Sequence, residues 1–302
     1  MTSIAVLGPG GVGGFLAAAL ARAGEDVVVV AQETTAELIA RDGVRVRSVR
    51  LGDFTATPRA TASLTDRVGV LLVATKAGGL GEALARIEAP PELTVPLLNG
   101  LDHMVALRER FLAGAVAAGT IRIESDRPRA GRIVQSSPFL RVDLAAHDPS
   151  LAPALVRLRD TLVHAGIPAR IGASEAQILW SKLVRLNALA CTTSAVDRPI
   201  GFIRSDLEWR SALEACLEEA AAVACADGAE VDPATGLAEL DEAHPELGSS
   251  MQRDIAAGRE PELDAIAGAV LRAGARHGLA CETITRLSAV IARRAGVPVP
   301  KA

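Results

Sequence analysis

Lys182 is the residue of this chain whose surroundings could most alter its chemistry. Around it, Ile178, Leu179, Leu186 and Leu189 fall on the same face at 100° per residue. The opposite side carries Trp180, Val184, Ala188 and Cys191, so a helix here is apolar nearly all round and is expected to be buried. A lysine in such a helix is either a snorkelling side chain or a desolvated functional amine with a lowered pKa, able to act as an acid.

A carboxylate is available to such an amine. Pro261 suits the first position of a helix, which puts Glu262 in the first turn, where an acid is favoured. Glu262 heads a stripe of Ala265, Ile266, Ala269 and Val270 that points it toward a core, although simple dipole compensation, shared with Asp264, also accounts for it. Upstream, Ser249 or Ser250 is expected to cap a helix running through Met251 to Ala257, and capping needs only one of the two. Ser174-Glu175-Ala176-Gln177 has the S-x-x-Q form of a capping box and opens the helix of Lys182.

The second kind of chemistry is phosphate binding. Gly8-Pro9-Gly10-Gly11-Val12-Gly13 fits GxGxxG. Before it, Ile4-Ala5-Val6-Leu7 is an apolar run of the length of a buried parallel strand, and after it Phe15 to Ala23 reads as a helix closed by Gly24. Val27 to Val30 is a second core strand. Gly8 makes the tight turn, Gly10 lets backbone approach a pyrophosphate, and Gly13 lets helix pack on strand. A lone GxGxxG says little, but one set between the correct strand and helix is specific.

The elements that must position these groups follow along the chain. Val44 to Thr57 reads as a strand pair turning at Gly52-Asp53, an insertion before the main sheet resumes. Val68 to Thr75 and Leu93 to Leu98 are core strands, followed by helices around Glu82 to Ile87 and Met104 to Phe111. Lys76 and Asn99 therefore sit just past the carboxyl ends of parallel strands, the edge where ligands bind in open α/β sheets. A solvated loop lysine and an Asn-Gly turn are the structural alternatives. Thr120 to Glu124, Arg132 to Gln135 and Leu140 to Leu144 are short alternating stretches split by Arg127 to Gly131, expected to be antiparallel strands closing the sheet. Leu151 to His164 reads as a helix and Ala169 to Ile171 as a last strand. Helices fill the remainder, near 174–191, 205–227, 247–257, 261–277 and 281–295. The expected architecture is an α/β Rossmann-type dinucleotide-binding domain over 1–172 and an all-α domain over 173–302.

Composition narrows the partners. The chain has 302 residues, room for two cores, and a net charge of -4 with no Lys/Arg block, which argues against nucleic acid and anionic membrane. No long charge-free apolar run and no signal-peptide pattern is present, so a soluble, cytoplasmic protein is expected. Cys191, Cys216, Cys225 and Cys281 lack CxxC spacing and read as buried free thiols, and the five His form no ligand pair, so no metal is expected.

Taken together, LGPGGVGG at the start, ATKA around Lys76, LLNG around Asn99, LWSKL around Lys182 and SSMQRDIAAGREPELD resemble the ketopantoate reductase (2-dehydropantoate 2-reductase) family from end to end. The last piece sets Ser250 and Glu262 at the family's spacing of twelve. The resemblance implies a helical domain of the 6-phosphogluconate dehydrogenase type, an active site between the domains and NADPH-dependent reduction of a 2-oxo acid, with ketopantoate of pantothenate biosynthesis as default. It makes Lys182 the general acid, Glu262 the holder of the lysine or a substrate hydroxyl, and Ser250 a substrate contact. Asn99 and Lys76 would lie beside the cofactor, Asn99 also toward substrate, and Gly8 to Gly13, with Pro9, Gly11 and Val12, would cradle the pyrophosphate.

The departures bear on specificity. Where members with ketopantoate activity typically carry amides, this chain has Leu186, Ala190 and Ile200. Asn187 is out of register, about 140° around the helix from Lys182, and could replace them only through a local bulge. The resemblance implies NADP as cofactor, but the arginine that meets its 2′-phosphate is replaced by Gln32, and Glu33 after it favours a ribose hydroxyl, so NAD is allowed as well. The rival readings are a reductase of a less hydroxylated 2-oxo acid and a nicotinamide-binding sensor without turnover; a flavoprotein is weaker, since no second nucleotide motif follows. A homodimer is allowed.

Overall fold

The computed structural model describes residues 3–302 and divides into two compact units. The first comprises the chain up to Leu98 together with His103–Ile178; the second comprises Asn99–Asp102 and Leu179–Ala302. The tetrapeptide Asn99–Asp102 thus belongs with residues that follow it by more than a hundred positions.

The first unit is a Rossmann-type α/β arrangement. Strands β1 (Ile4–Leu7), β2 (Val27–Val30), β5 (Arg59–Thr61), β6 (Val70–Val73) and β7 (Leu93–Pro96) form one parallel sheet in the order β5-β2-β1-β6-β7. The order reverses between β1 and β6, and their four-residue runs are buried at every position, as strands covered on both faces must be. Helix α1 (Gly11–Arg22) buries Phe15, Leu16 and Leu20 completely. Helices α2 (Glu33–Asp42), α3 (Leu80–Leu84), α4 (His103–Arg110) and α5 (Ala152–His164) complete the unit.

A second sheet departs from the sequence reading. The stretches from Thr120 to Leu144 were expected to close the first sheet in short strands; instead β8 (Ala118–Arg129) and β9 (Arg132–Ala145) are two long antiparallel strands that turn at Ala130-Gly131. They join β3 (Val44–Ser48), β4 (Phe54–Ala56) and β10 (Ala169–Ile171) in a sheet of their own, with a single bridge from Val116 to Thr94 of β7 at the join. The irregular alternation that suggested separate strands reflects two register shifts, one after Ile123 and one after Asp126, which turn the side-chain pattern over in mid-strand. The β3–β4 pair is antiparallel as expected, but it belongs to this second sheet, while β5 holds the edge of the first. Helix α3 begins two residues before Glu82 and ends at Leu84, ahead of the expected stretch.

The second unit is helical. It holds α6 (Glu175–Val196) from Leu179 onward, then α7 (Ile200–Ser205), α8 (Leu207–Ala226), α9 (Pro233–Asp241), α10 (Ser250–Ala256), α11 (Ala269–Arg276) and α12 (Glu282–Ala295). Two short helices, α7 and α9, went unread. A π-turn, Asp264–Gly268, leads directly into α11. Inside the unit Trp180 Nε1 donates to Asp227 at 3.0 Å, and the carboxylate of Glu219 accepts the amides of Thr283 and Ile284 at the start of α12. No helix of the described residues is long and apolar enough to cross a membrane.

Candidate active site

The glycine-rich turn is built by close approaches. Gly8 has φ +89°, and a Cβ there would meet the Thr75 side chain at 2.7 Å. A Cβ on Gly13 would sit 2.2 Å from the Gly8 carbonyl, so the third glycine is required by helix-on-strand packing. Gly10 differs: it caps α1, and a Cβ there would meet nothing within 4 Å. The protein itself does not demand a glycine at Gly10, so the open space suits an approaching ligand. The amides that open α1 have no intrahelical acceptors, and its first turn carries no acid, an arrangement that fits a pyrophosphate.

Gly11 adds a contact that sequence reasoning missed. Ser125 Oγ of β8 donates to the Gly11 carbonyl at 2.8 Å, and a Cβ on Gly11 would strike the Ser125 carbonyl at 2.0 Å. Pro9 and Val12 lie within the same turn. Gln32 is exposed and occupies the N-cap of α2 without a side-chain capping bond, with Glu33 opening the helix. Lys76 is exposed just past β6, the strand next to β1, and precedes a short 3-10 turn, Ala77–Gly79.

Helix α6 is unbroken from Glu175 to Val196, and Ser174 Oγ caps it by accepting the Gln177 amide at 3.0 Å. Trp180, Val184, Ala188, Leu189 and Cys191 are buried, whereas Lys182 is half-buried. The unbroken helix leaves no bulge to rotate Asn187, which is fully buried with Oδ1 accepting from Cys191 Sγ at 3.4 Å. Ala190 and Ile200 are also fully buried, and Leu186 half-buried.

Glu262 stands one residue earlier in its helix than expected. Its carbonyl accepts the Ile266 amide at 3.0 Å, and the helical run begins at Leu263, so Glu262 is the N-cap and Pro261 precedes it. The half-buried carboxylate of Glu262 accepts a hydrogen bond from Asn99 Nδ2 at 2.9 Å. The resemblance puts Asn99 beside cofactor and substrate and makes Glu262 the holder of the lysine or a substrate hydroxyl; the structure pairs the two side chains. Gly100, at φ +86°, lies so close to the π-turn that a Cβ would be 2.0 Å from the Ala265 carbonyl.

The serine pair also divides. Ser249 is the N-cap of α10, accepting the Gln252 amide at 3.0 Å, and its Oγ lies 3.0 Å from Thr193 Oγ1 and 3.4 Å from Ser194 Oγ. Ser250 is exposed at the first position of that helix and is spared the capping role. The polar run Thr192-Thr193-Ser194 in an otherwise apolar helix was the available signal for the buried hydroxyl cluster.

Three of the four thiols are buried as expected, but Cys225 is exposed. Burial, with a smaller contribution from the Glu219 carboxylate, pushes the Cys191 thiol up to about 12 and the Cys281 thiol up to about 11; burial likewise raises Cys216.

Comparison with known proteins places this arrangement. The model of ketopantoate reductase PanE/ApbA matches residues 4–148, and that of the ketopantoate reductase PanE/ApbA C terminal matches residues 176–295. The chain belongs to the ketopantoate reductase family. A 2-dehydropantoate 2-reductase of Caulobacter vibrioides is 31% identical over 289 residues, covering 93% of this chain and 94% of its own. The solved structure of 2-dehydropantoate 2-reductase from Geobacter metallireducens is 25% identical with a TM-score of 0.89, over 96% of this chain and 99% of that one. D-mandelate dehydrogenase, solved with NADH and anilino(oxo)acetate, shares the fold at 19% identity and a TM-score of 0.88, over 97% of this chain and 98% of that one.

Proposed function

We propose that the chain is an NAD(P)H-dependent reductase of a 2-oxo acid, with Lys182 and Glu262 as catalytic residues. When bound, a reduced nicotinamide supplies the hydride. Lys182 offers a positive charge and a proton to the oxygen that becomes negative as the ketone is reduced. Glu262, steadied by Asn99, holds the lysine or a substrate hydroxyl, and Ser250 and Asn99 contact the substrate. Gly8 to Gly13 receive the pyrophosphate, with Gln32 and Lys76 nearby in the same unit. The observation that carries this reading is the Asn99–Glu262 hydrogen bond, which fixes a carboxylate in the unit that also holds Lys182.

Ketopantoate is the substrate that family membership favours, and a less hydroxylated 2-oxo acid with an apolar tail is the alternative. Leu186, Ala190 and Ile200 carry no polar side-chain atom; Ala190 and Ile200 are fully buried, so of the three it is the half-buried Leu186 that has surface left for a substrate. A hydroxyl facing Leu186 would go unpaired at a cost of about 1–3 kcal/mol.

The test is NADH and NADPH oxidation over a panel of 2-oxo acids, ketopantoate and its deoxy analogue included, with wild type and Lys182→Ala. Lys182→Ala is expected to lower kcat by a factor on the order of 10² to 10⁴ while cofactor affinity holds. Wild-type kcat in that variant would make Lys182 a snorkelling core residue. A ketopantoate preference above a hundredfold would establish ketopantoate as the substrate and assign its hydroxyl to groups other than Leu186, Ala190 and Ile200.

A further inference from the structure

Asn99 and Glu262 are held at one end of a short frame whose other end is closed by Arg272. The Arg272 guanidinium on α11 donates through Nη2 to Asp102 Oδ2 at 2.7 Å, to Asp264 Oδ2 at 3.1 Å and to the Asp264 carbonyl at 3.0 Å. Through Nη1 it donates to Asp264 Oδ1 at 2.9 Å and to the Lys301 carbonyl at 3.3 Å. Asp102 ends the tetrapeptide that Asn99 begins, and Asp264 lies two residues after Glu262. Between the two anchors, Gly100 presses against the Ala265 carbonyl.

Two details show that the frame is built around the guanidinium. The Asp264 carbonyl already accepts the Ala269 amide of the π-turn, so Arg272 adds a second donor to the carbonyl that defines the turn. The guanidinium also lies over Gly268, where a Cβ would be 2.9 Å from Nη1 and 2.7 Å from Asp264 Oδ1. Without the cation, Asp102 and Asp264 would face each other as like charges. Losing the bridging hydrogen bonds, together with a repulsion screened by the 50% and 70% exposure of the two carboxylates, would loosen the tetrapeptide against the π-turn.

We propose that Arg272 is a positioning residue, which pins Asp102 to the π-turn through Asp264 and so sets where Asn99 meets Glu262. The inference rests on Asn99 and Glu262 acting on substrate, as proposed above. Arg272 touches no reacting atom and works through those two residues.

Full-length Arg272→Met and Arg272→Lys are compared with wild type in two ways. In turnover with the best 2-oxo acid found, Arg272→Met is expected to lose about ten- to a hundredfold in kcat with NAD(P)H affinity within about twofold, the scale of a small misplacement of reacting groups. Arg272→Lys, which keeps the charge but not the planar fork, should regain part of that loss. In an Asn99→Ala background, Arg272→Met should cost less than about twofold, because the bond it protects is already gone. A full additional loss in that background overturns the proposal. In hydrogen exchange, Arg272→Met should speed the segment 97–104 about tenfold or more while α8 keeps its protection. Unchanged exchange in that segment, or acceleration throughout the unit, overturns it as well. If wild type reduces no 2-oxo acid, the proposed reaction fails, and hydrogen exchange alone decides the pinning.

Discussion

Asn99 and Glu262, 163 positions apart in the chain, meet through one hydrogen bond of 2.9 Å from the asparagine amide to the glutamate carboxylate. The bond occupies one acceptor site of a carboxylate that has about four, and it limits how that carboxylate can turn. Asn99→Ala and Glu262→Ala are each expected to lower kcat/KM by roughly ten- to a hundredfold, the range for losing a hydrogen bond to a charged group. The double variant should fall well short of the two losses multiplied, because both remove one shared interaction. Steady-state kinetics on the four proteins measures the coupling, and simple multiplication would show that the bond has no part in turnover.

Gly10 and Gly100 should respond to alanine in opposite ways. Gly100→Ala forces a Cβ against the Ala265 carbonyl at a positive φ, and a loss on the order of 2 kcal/mol or more is expected in urea unfolding. Gly10→Ala meets open space, so stability should hold while nicotinamide-cofactor affinity falls by about tenfold or more. Equal effects on stability would show that Gly10 is kept for folding.

Cofactor choice turns on the exposed N-cap of α2. Gln32→Arg is expected to raise NADPH affinity over NADH by roughly tenfold or more, as a new charge pair with a 2′-phosphate would. Titration of both cofactors against wild type and variant checks it. A wild type that already prefers NADPH a thousandfold reads that phosphate elsewhere.

The cysteines divide by exposure. With native protein near pH 8, a thiol reagent should modify Cys225 first and leave Cys191, Cys216 and Cys281 unreacted until the chain unfolds. Mass spectrometry of the alkylated peptides distinguishes them. The sign of the accompanying pH dependence follows from the raised native pKa values of about 12 and 11 at Cys191 and Cys281. These protonated thiols favour the folded state fully below about pH 9, where unfolded thiols begin to ionise, and the advantage is lost as pH rises toward their native values. Unfolding followed from pH 8 to pH 11 should show falling stability, and Cys191→Ala should flatten part of that slope.

Four strands of the first sheet were legible because strands buried on both faces leave largely apolar runs, as Ile4–Leu7, Val27–Val30, Val70–Val73 and Leu93–Pro96 do; the edge strand Arg59–Thr61, which is not buried, leaves no such run and escaped the reading. The second sheet was harder to read because its register shifts break the period of two that would have announced long strands. Lys182 and Glu262 stood out as charges on apolar faces, a signal that survives in one dimension. Their neighbours did not. Asn99 reaches Glu262, and Asp102 reaches Arg272, only through the return of a distant helix, and neither pair has a spacing that sequence could reveal. The π-turn was equally hidden, since Asp264–Gly268 differs from an α-helical turn by one residue.

The bond from Ser125 to the Gly11 carbonyl bears on how far the dinucleotide turn can be treated as a transferable part. A graft ending after β2 would carry the whole GxGxxG signature and leave behind the strand against which Gly11 is fitted. Gly14 has the same dependence, since a Cβ there would meet Ile133 of β9 at 2.5 Å. The smallest portable unit is therefore the turn together with the β8–β9 hairpin, so a chimera built from this chain should take its breakpoint beyond β9.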